Sequence, residues 1–151
     1  MCICILAAWL AFTPALVLQV RTAEDDRLLL CSPVAAGDQI LYLSVNSIFQ
    51  VPVQEYWRVE PDGSLTTMRV VSTPAVMGYY GIEDYAPAQD GFVSAAPQEA
   101  HYQEIRLKVD SRGQERLVVR GQETALYKMT KEAGVVIASV HRMPRIAACH
   151  I

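Results

Sequence analysis

The chain has 151 residues, 52% of them hydrophobic, and a net charge of −3. That length supports one domain with a substantial core. With 13 Lys and Arg against 16 Asp and Glu, and the basic residues scattered, the sequence excludes the electrostatic footprint of a nucleic-acid binder. Met1 to Val20 carries no charged side chain, and Arg21 then opens a charged stretch that includes Glu24-Asp25-Asp26-Arg27. A helix of twenty residues spans about 30 Å, the hydrocarbon thickness of a bilayer. The expectation is therefore an N-terminal apolar helix over 1–22 that addresses the chain to a membrane. Three readings are open: an uncleaved anchor, a secretory signal cut at Thr13-Pro14-Ala15, and a buried core helix. The first places the rest of the chain outside the cytoplasm behind a single span, and the second makes it secreted or periplasmic.

Residues 27–145 read as one extracytoplasmic β-domain, followed by a tail over 146–151. Arg27–Ser32 is a short apolar run before Pro33, and Gln39–Ser47 alternates with Ile40, Tyr42 and Ser44 on one face. Val53–Glu60 and Ser64–Ser72 flank Pro61-Asp62-Gly63, which has turn residues in the preferred order, so they form a hairpin. Gln103–Asp110 alternates cleanly, with Ile105, Leu107 and Val109 inward. Glu115–Arg120, Thr124–Met129 and Gly134–Arg142 complete the pattern. Between Thr73 and Ala100 the periodicity breaks. This stretch holds Pro74, Gly78, Gly81, Pro87, Gly91 and Pro97 with Tyr79, Tyr80 and Tyr85, and reads as a long loop containing a short strand at Phe92-Val93-Ser94. The fold class is all-β, a single sandwich or barrel-like domain of about eight or nine antiparallel strands after the apolar helix.

Cys2 and Cys4 lie in the apolar leader, whereas Cys31 and Cys149 lie near the two ends of the exported domain. An oxidising compartment would allow the latter two to pair, since β-domains often set first and last strands side by side; two idle thiols are the alternative. In the segment Asn46 to Val59, Val51, Val53, Glu55, Trp57 and Val59 share one face, which is core-like except for Glu55. A carboxylate there needs a hydrogen bond or a cation, or its pKa rises. The expected partner is an arginine of a neighbouring strand such as Arg69, and a ligand is the alternative.

Ser47, Pro52, Val53, Glu55, Trp57, Arg69, Ser72 and Ala75 fall in order on a pattern of His-Ser-Val, Thr-Pro-Val-x-Glu-x-Trp/Tyr, a turn, and Arg-x-x-Ser-x-Gly-Ala-Gly. With the Leu30-Cys31 start and the late Arg116-Leu117-Val118-Val119 run, residues 28–142 resemble a bacterial family of small extracytoplasmic proteins (domain of unknown function eighteen-fifty). Asn46 stands where that family usually has histidine and Val51 where it has threonine, while Pro74 and Val76 replace two glycines. The resemblance implies an association with tripartite ATP-independent periplasmic (TRAP) permeases that use TAXI solute receptors.

The histidines His101, His141 and His150 form no metal-ligand spacing, and no nucleophile elbow or phosphate loop is present. No cofactor or metal is expected. Glu83 and Asp84, among the three tyrosines of the long loop, make an acidic-aromatic cluster suited to a sugar, a cation or a partner protein. The candidate contacts are Asn46, Ser47, Glu55, Trp57, Arg69, Ser72, Tyr79, Tyr80, Glu83 and Asp84. The leading expectation is a non-enzymatic, membrane-tethered accessory component of a TRAP-type solute transporter. A stand-alone envelope domain binding a small ligand or cation is the alternative, and a hydrolase built on a serine with His101 or His141 is the third.

Overall fold

The computed structural model describes residues 14–97, 100–130, 132–144 and 149. Two antiparallel sheets share one core. The first has the order β2-β1-β12-β9, with β1 at Pro14–Thr22, β2 at Leu28–Val34, β9 at Glu104–Val109 and β12 at Gly134–Pro144. The second runs β11-β10-β3-β4-β5-β7-β6, with β3 at Gln39–Asn46, β4 at Val51–Val59, β5 at Leu65–Ser72, β6 at Ala86–Pro87, β7 at Val93–Ala95, β10 at Arg116–Val119 and β11 at Gln122–Ala125. A short β8, His101–Tyr102, also pairs with β5. Leu18, Val20, Leu107, Val136 and Ala138 of the first sheet meet Ile40, Trp57, Val59, Leu65 and Leu117 of the second.

Residues 14–22 correct the expected N-terminal helix, since they form the strand β1. It runs through the interior of the first sheet, pairing with β12 from Pro14↔Pro144 to Thr22↔Val136 and with β2 on its other side. Leu18 and Val20 enter the shared core, yet Val17 is fully buried and Gln19 nearly so on the opposite face. A strand covered on both faces shows no polar alternation, so its sequence looks like an apolar helix. Proline is tolerated at its first position, where the missing N–H costs little. The remainder of the expected helix, Met1–Thr13, lies outside the described residues. No helix among the described residues is long and apolar enough to cross a membrane.

Cys31 is bonded to Cys149, with Cα atoms 5.4 Å apart and 118 residues of sequence between them. Cys31 stands opposite Gln19 in the β1–β2 register, so the bond ties residue 149 of the expected tail to the outer face of the first sheet. The β4–β5 turn docks on β12. Gly63 takes φ +90° there, and a Cβ in its place would sit 3.1 Å from the Val140 carbonyl oxygen. Arg142 donates to the Pro61 carbonyl at 2.8 Å.

The expected loop over 73–100 is partly ordered secondary structure. The helix α1, Pro74–Tyr79, starts with proline in its first turn, where an N–H has no intrahelical partner to lose. Val76 and Met77 are fully buried against Val53, Val70, Val93 and Ala95, forming a second small core. Pro74 and Val76, the two departures from the glycines of the family pattern, thus start this helix and fill its underside. Thr124–Met129, expected as one strand, divides into β11 and a 3-10 turn at Leu126–Lys128 that buries Leu126.

Candidate functional site

A single irregularity in the β4–β5 hairpin decides how the candidate residues are arranged. From the turn outward, Val59 faces Leu65 and Trp57 faces Thr67. Continued without interruption, this register would set Glu55 opposite Arg69, the ion pair expected from sequence. A bulge intervenes between Tyr56 and Trp57, leaving Met68 unopposed, so Arg69 faces Tyr56 and Glu55 faces Val70. One extra residue moves a side chain to the other face of a sheet. Glu55 therefore points inward and Arg69 outward.

On the inner face, Leu117, Tyr42, Glu55, Val70 and Ala95 form one row across five strands, with Glu55 the only carboxylate among them. Glu55 is partly buried where the main core meets the small core under α1. Among the described residues its side chain has one hydrogen-bond partner, the Trp57 Nε1–H that donates to Oε2 at 3.4 Å. Trp57 is 1% exposed and stacks on Tyr42 with centroids 5.4 Å apart. It is a core residue rather than a ligand contact. Glu115, also buried, accepts the Asp110 N–H at 2.8 Å and sits where a Cβ on residue 113 would be, which is why glycine stands there.

Burial raises the Glu55 carboxyl above its ordinary value of 4.5, against the smaller opposing effect of the Trp57 hydrogen bond. Burial raises Glu115 as well. Tyr42 is pushed up by its burial first and then by the Glu115 and Glu55 carboxylates. A carboxyl whose folded-state pKa is raised binds its proton more tightly in the folded chain. It therefore favours folding below the ordinary pKa and loses that contribution as pH rises through the folded value. Glu55→Gln is accordingly expected to raise the thermal midpoint at neutral pH and to lose this advantage below about pH 4. Melts of both proteins across that range measure it; a gap independent of pH would place the effect elsewhere.

On the outer face, the Arg69 guanidinium lies 4.0 Å over the Tyr56 ring, and Tyr56 Oη donates to Gln54 Oε1 at 2.9 Å. Gln54, Val71 and Ser94 line up in the next row. The turn between β6 and β7 folds over them, closed by Ala88 N–H to the Phe92 carbonyl at 2.9 Å and Phe92 N–H to the Gln89 carbonyl at 3.0 Å. The result is an open cavity of about 360 Å³.

The other candidates sit elsewhere. Asn46 Oδ1 accepts the N–H groups of Ile48 and Phe49 at 3.0 and 3.1 Å, and Gln50 Nε2 donates to the Ser47 carbonyl at 2.6 Å. Both residues shape the β3–β4 turn. Ser72 is fully buried and donates to the Pro52 carbonyl at 2.8 Å, fastening β5 to β4. That turn presents Ile48 and Phe49 to solvent, and Phe49 meets Tyr79 edge-on at 6.1 Å, with Tyr80 beside it at 5.7 Å. The four form an exposed aromatic-rich patch at one end of the second sheet. Glu83 and Asp84 are exposed in the segment that follows. The ten candidates are thus dispersed: Glu55 in the inner row, Trp57 in the core, Ser72 between β5 and β4, Arg69 at the outer cavity, Asn46 and Ser47 in the β3–β4 turn, Tyr79 and Tyr80 in the end patch, and Glu83 and Asp84 in the segment beyond it. Tyr42, Tyr56, Gln54, Asp90 and Ser94, not singled out from sequence, belong to the inner row and the outer cavity.

Of the histidines, the two among the described residues each touch a hydroxyl: His141 Nε2 is 2.8 Å from Ser139 Oγ, and His101 Nδ1 is 2.9 Å from Thr66 Oγ1. Ser139 and His141 are two apart on β12 and so share a face by strand spacing alone. Among the described residues no carboxylate hydrogen-bonds to the His141 ring. No group of three or more His, Cys, Asp or Glu among the described residues is placed to hold a metal ion.

Comparison with known proteins adds no relative: no family model, curated protein or solved structure matches the chain.

Proposed function

We propose that this chain is a non-enzymatic β-domain working outside the cytoplasm as an accessory component of a TRAP-type solute transporter with a TAXI receptor. The exposed patch of Ile48, Phe49, Tyr79 and Tyr80 carries the interaction part of this reading. Clustered aromatic side chains free of a core role are the usual anchors of a protein interface. The identity of the partner rests on the sequence resemblance alone. The export part is supported by the Cys31–Cys149 bond, which persists in oxidising compartments. Cleavage after Ala15 would remove only the first two residues of β1 and leave Leu16–Thr22 in place, whereas a membrane span through Val20 and β1 would claim the same residues.

A pull-down of the tagged protein from native membranes in mild detergent, followed by mass spectrometry, tests the reading. A permease or a solute receptor is expected in the wild-type eluate. It should be absent with Phe49→Ser/Tyr79→Ser, a variant that disturbs only exposed side chains. Recovery of the protein alone at good yield would favour the stand-alone binding domain, for which the Glu55 carboxyl, without a cation among the described residues, is the specific motive.

A further inference from the structure

The outer cavity combines a positive charge, neutral hydrogen-bonding groups and an apolar wall. Arg69 is exposed and makes no ion pair among the described residues, although a carboxylate, Asp90, lines the same cavity. Its place over the Tyr56 ring anchors the guanidinium, and no side-chain hydrogen bond among the described residues occupies its N–H groups. Gln54 and Tyr56 are already bonded to each other, which holds both side chains in place beneath it. Gln89 and Ser94 add polar groups, and Val71 and Phe92 supply apolar surface.

We propose that this cavity is a binding site for a small carboxylate, held by the Arg69 guanidinium. A planar fork of donors matches a carboxylate's two oxygens. The competing ligand classes fit less well. One face of the Tyr56 ring is covered by Arg69 and is closed to a stacking sugar on that side. Asp90 on the same cavity wall repels a phosphate dianion more strongly than a singly charged acid. Asp90 is held on the cavity wall with φ +56°, a left-handed conformation that aspartate tolerates better than most residues, next to Gly91. It can accept a hydrogen bond from a hydroxyl or ammonium substituent on the ligand. The cavity is open and Arg69, the one cation lining it among the described residues, is exposed, so binding in the millimolar range is expected. This site stands apart from the transporter reading, because it uses the opposite face of β4 and β5 from Glu55 and none of the end patch.

The test is an NMR titration of the isotope-labelled full chain with sodium lactate, and separately with sodium phosphate, at matched ionic strength. Saturable shifts at the Arg69 side-chain Nε–H and at the Phe92 and Ser94 amides are expected with lactate. Arg69→Gln should weaken binding by about tenfold or more, the cost of losing a charge-assisted contact. Arg69→Lys, which keeps the charge but not the fork, should weaken it by several-fold. The side chain is exposed, so both variants should retain the wild-type dispersion of amide signals. Asp90→Asn should improve phosphate binding more than lactate binding. Shifts that rise without saturation, tighter binding of phosphate than lactate by the wild type, or an Arg69→Gln variant that titrates like the wild type would each overturn the proposal.

Discussion

Trp57→Ala is expected to destabilise the domain by about 3–5 kcal/mol, the range for removing a large aromatic side chain from a packed core. Trp57 is 1% exposed and stacks on Tyr42, and it lies in the main core beside Val59 and Leu65. Its loss would leave a cavity bounded by two sheets whose strands are fixed by their hydrogen bonds, so the walls can relax only partly. It would also remove the indole N–H from Glu55, the one side-chain hydrogen bond that opposes the effect of burial on that carboxyl. Urea denaturation should show a lower midpoint with an unchanged slope. A near-neutral result would mean that β4 presents its other face to the core, contrary to the register described above.

The second large effect belongs to the disulfide. Breaking the Cys31–Cys149 bond, by reduction or by Cys31→Ser/Cys149→Ser, should cost about 2–5 kcal/mol. The bond closes a loop across 118 residues of sequence, close to the whole folded domain, and the chain-entropy account assigns larger effects to longer loops. Melting temperatures with and without reductant measure it. Identical melting curves would remove the bond from the account of stability and would weaken the argument for an oxidising compartment. The double variant treated with reductant supplies the control, since reductant should then change nothing.

Much of the second sheet was legible in the sequence. The turn Pro61-Asp62-Gly63 and the alternation of Val53, Trp57 and Val59 fixed the hairpin and its inward face, as Leu107 and Val109 did for β9. Where sequence reading failed, identifiable competing forces prevailed. In β1, burial on both faces erased the period-two signal, and uninterrupted apolarity then favoured a helix. In the 73–100 stretch, six residues of helix were too short to show a period, and Val76 and Met77 alone carry its packing. The site was less legible than the fold. Glu55 was correctly suspected as the odd residue on an apolar face, but its assumed partner depended on an unbroken ladder. Nothing in Thr67-Met68-Arg69 signals that Met68 is skipped, because bulges arise from sheet twist and packing rather than from a residue code. Arg69 and Glu55, read as one pair, are two separate groups with separate consequences.

The pairing of β1 with β12 has a consequence for how the protein is made. The two strands form nine residue pairs, yet they lie at opposite ends of the domain sequence. A chain delivered N-terminus first, by the ribosome or through a translocation channel, presents β1 long before its partner arrives. Closure across so many residues is slow, and it cannot begin until β12 has emerged. Until then one edge of β1 lacks its partner, even with β2 paired on the other, so the first sheet stays open along that edge. Completion of the first sheet and formation of the Cys31–Cys149 bond thus both wait on residues 134–149 and take place wherever those residues emerge.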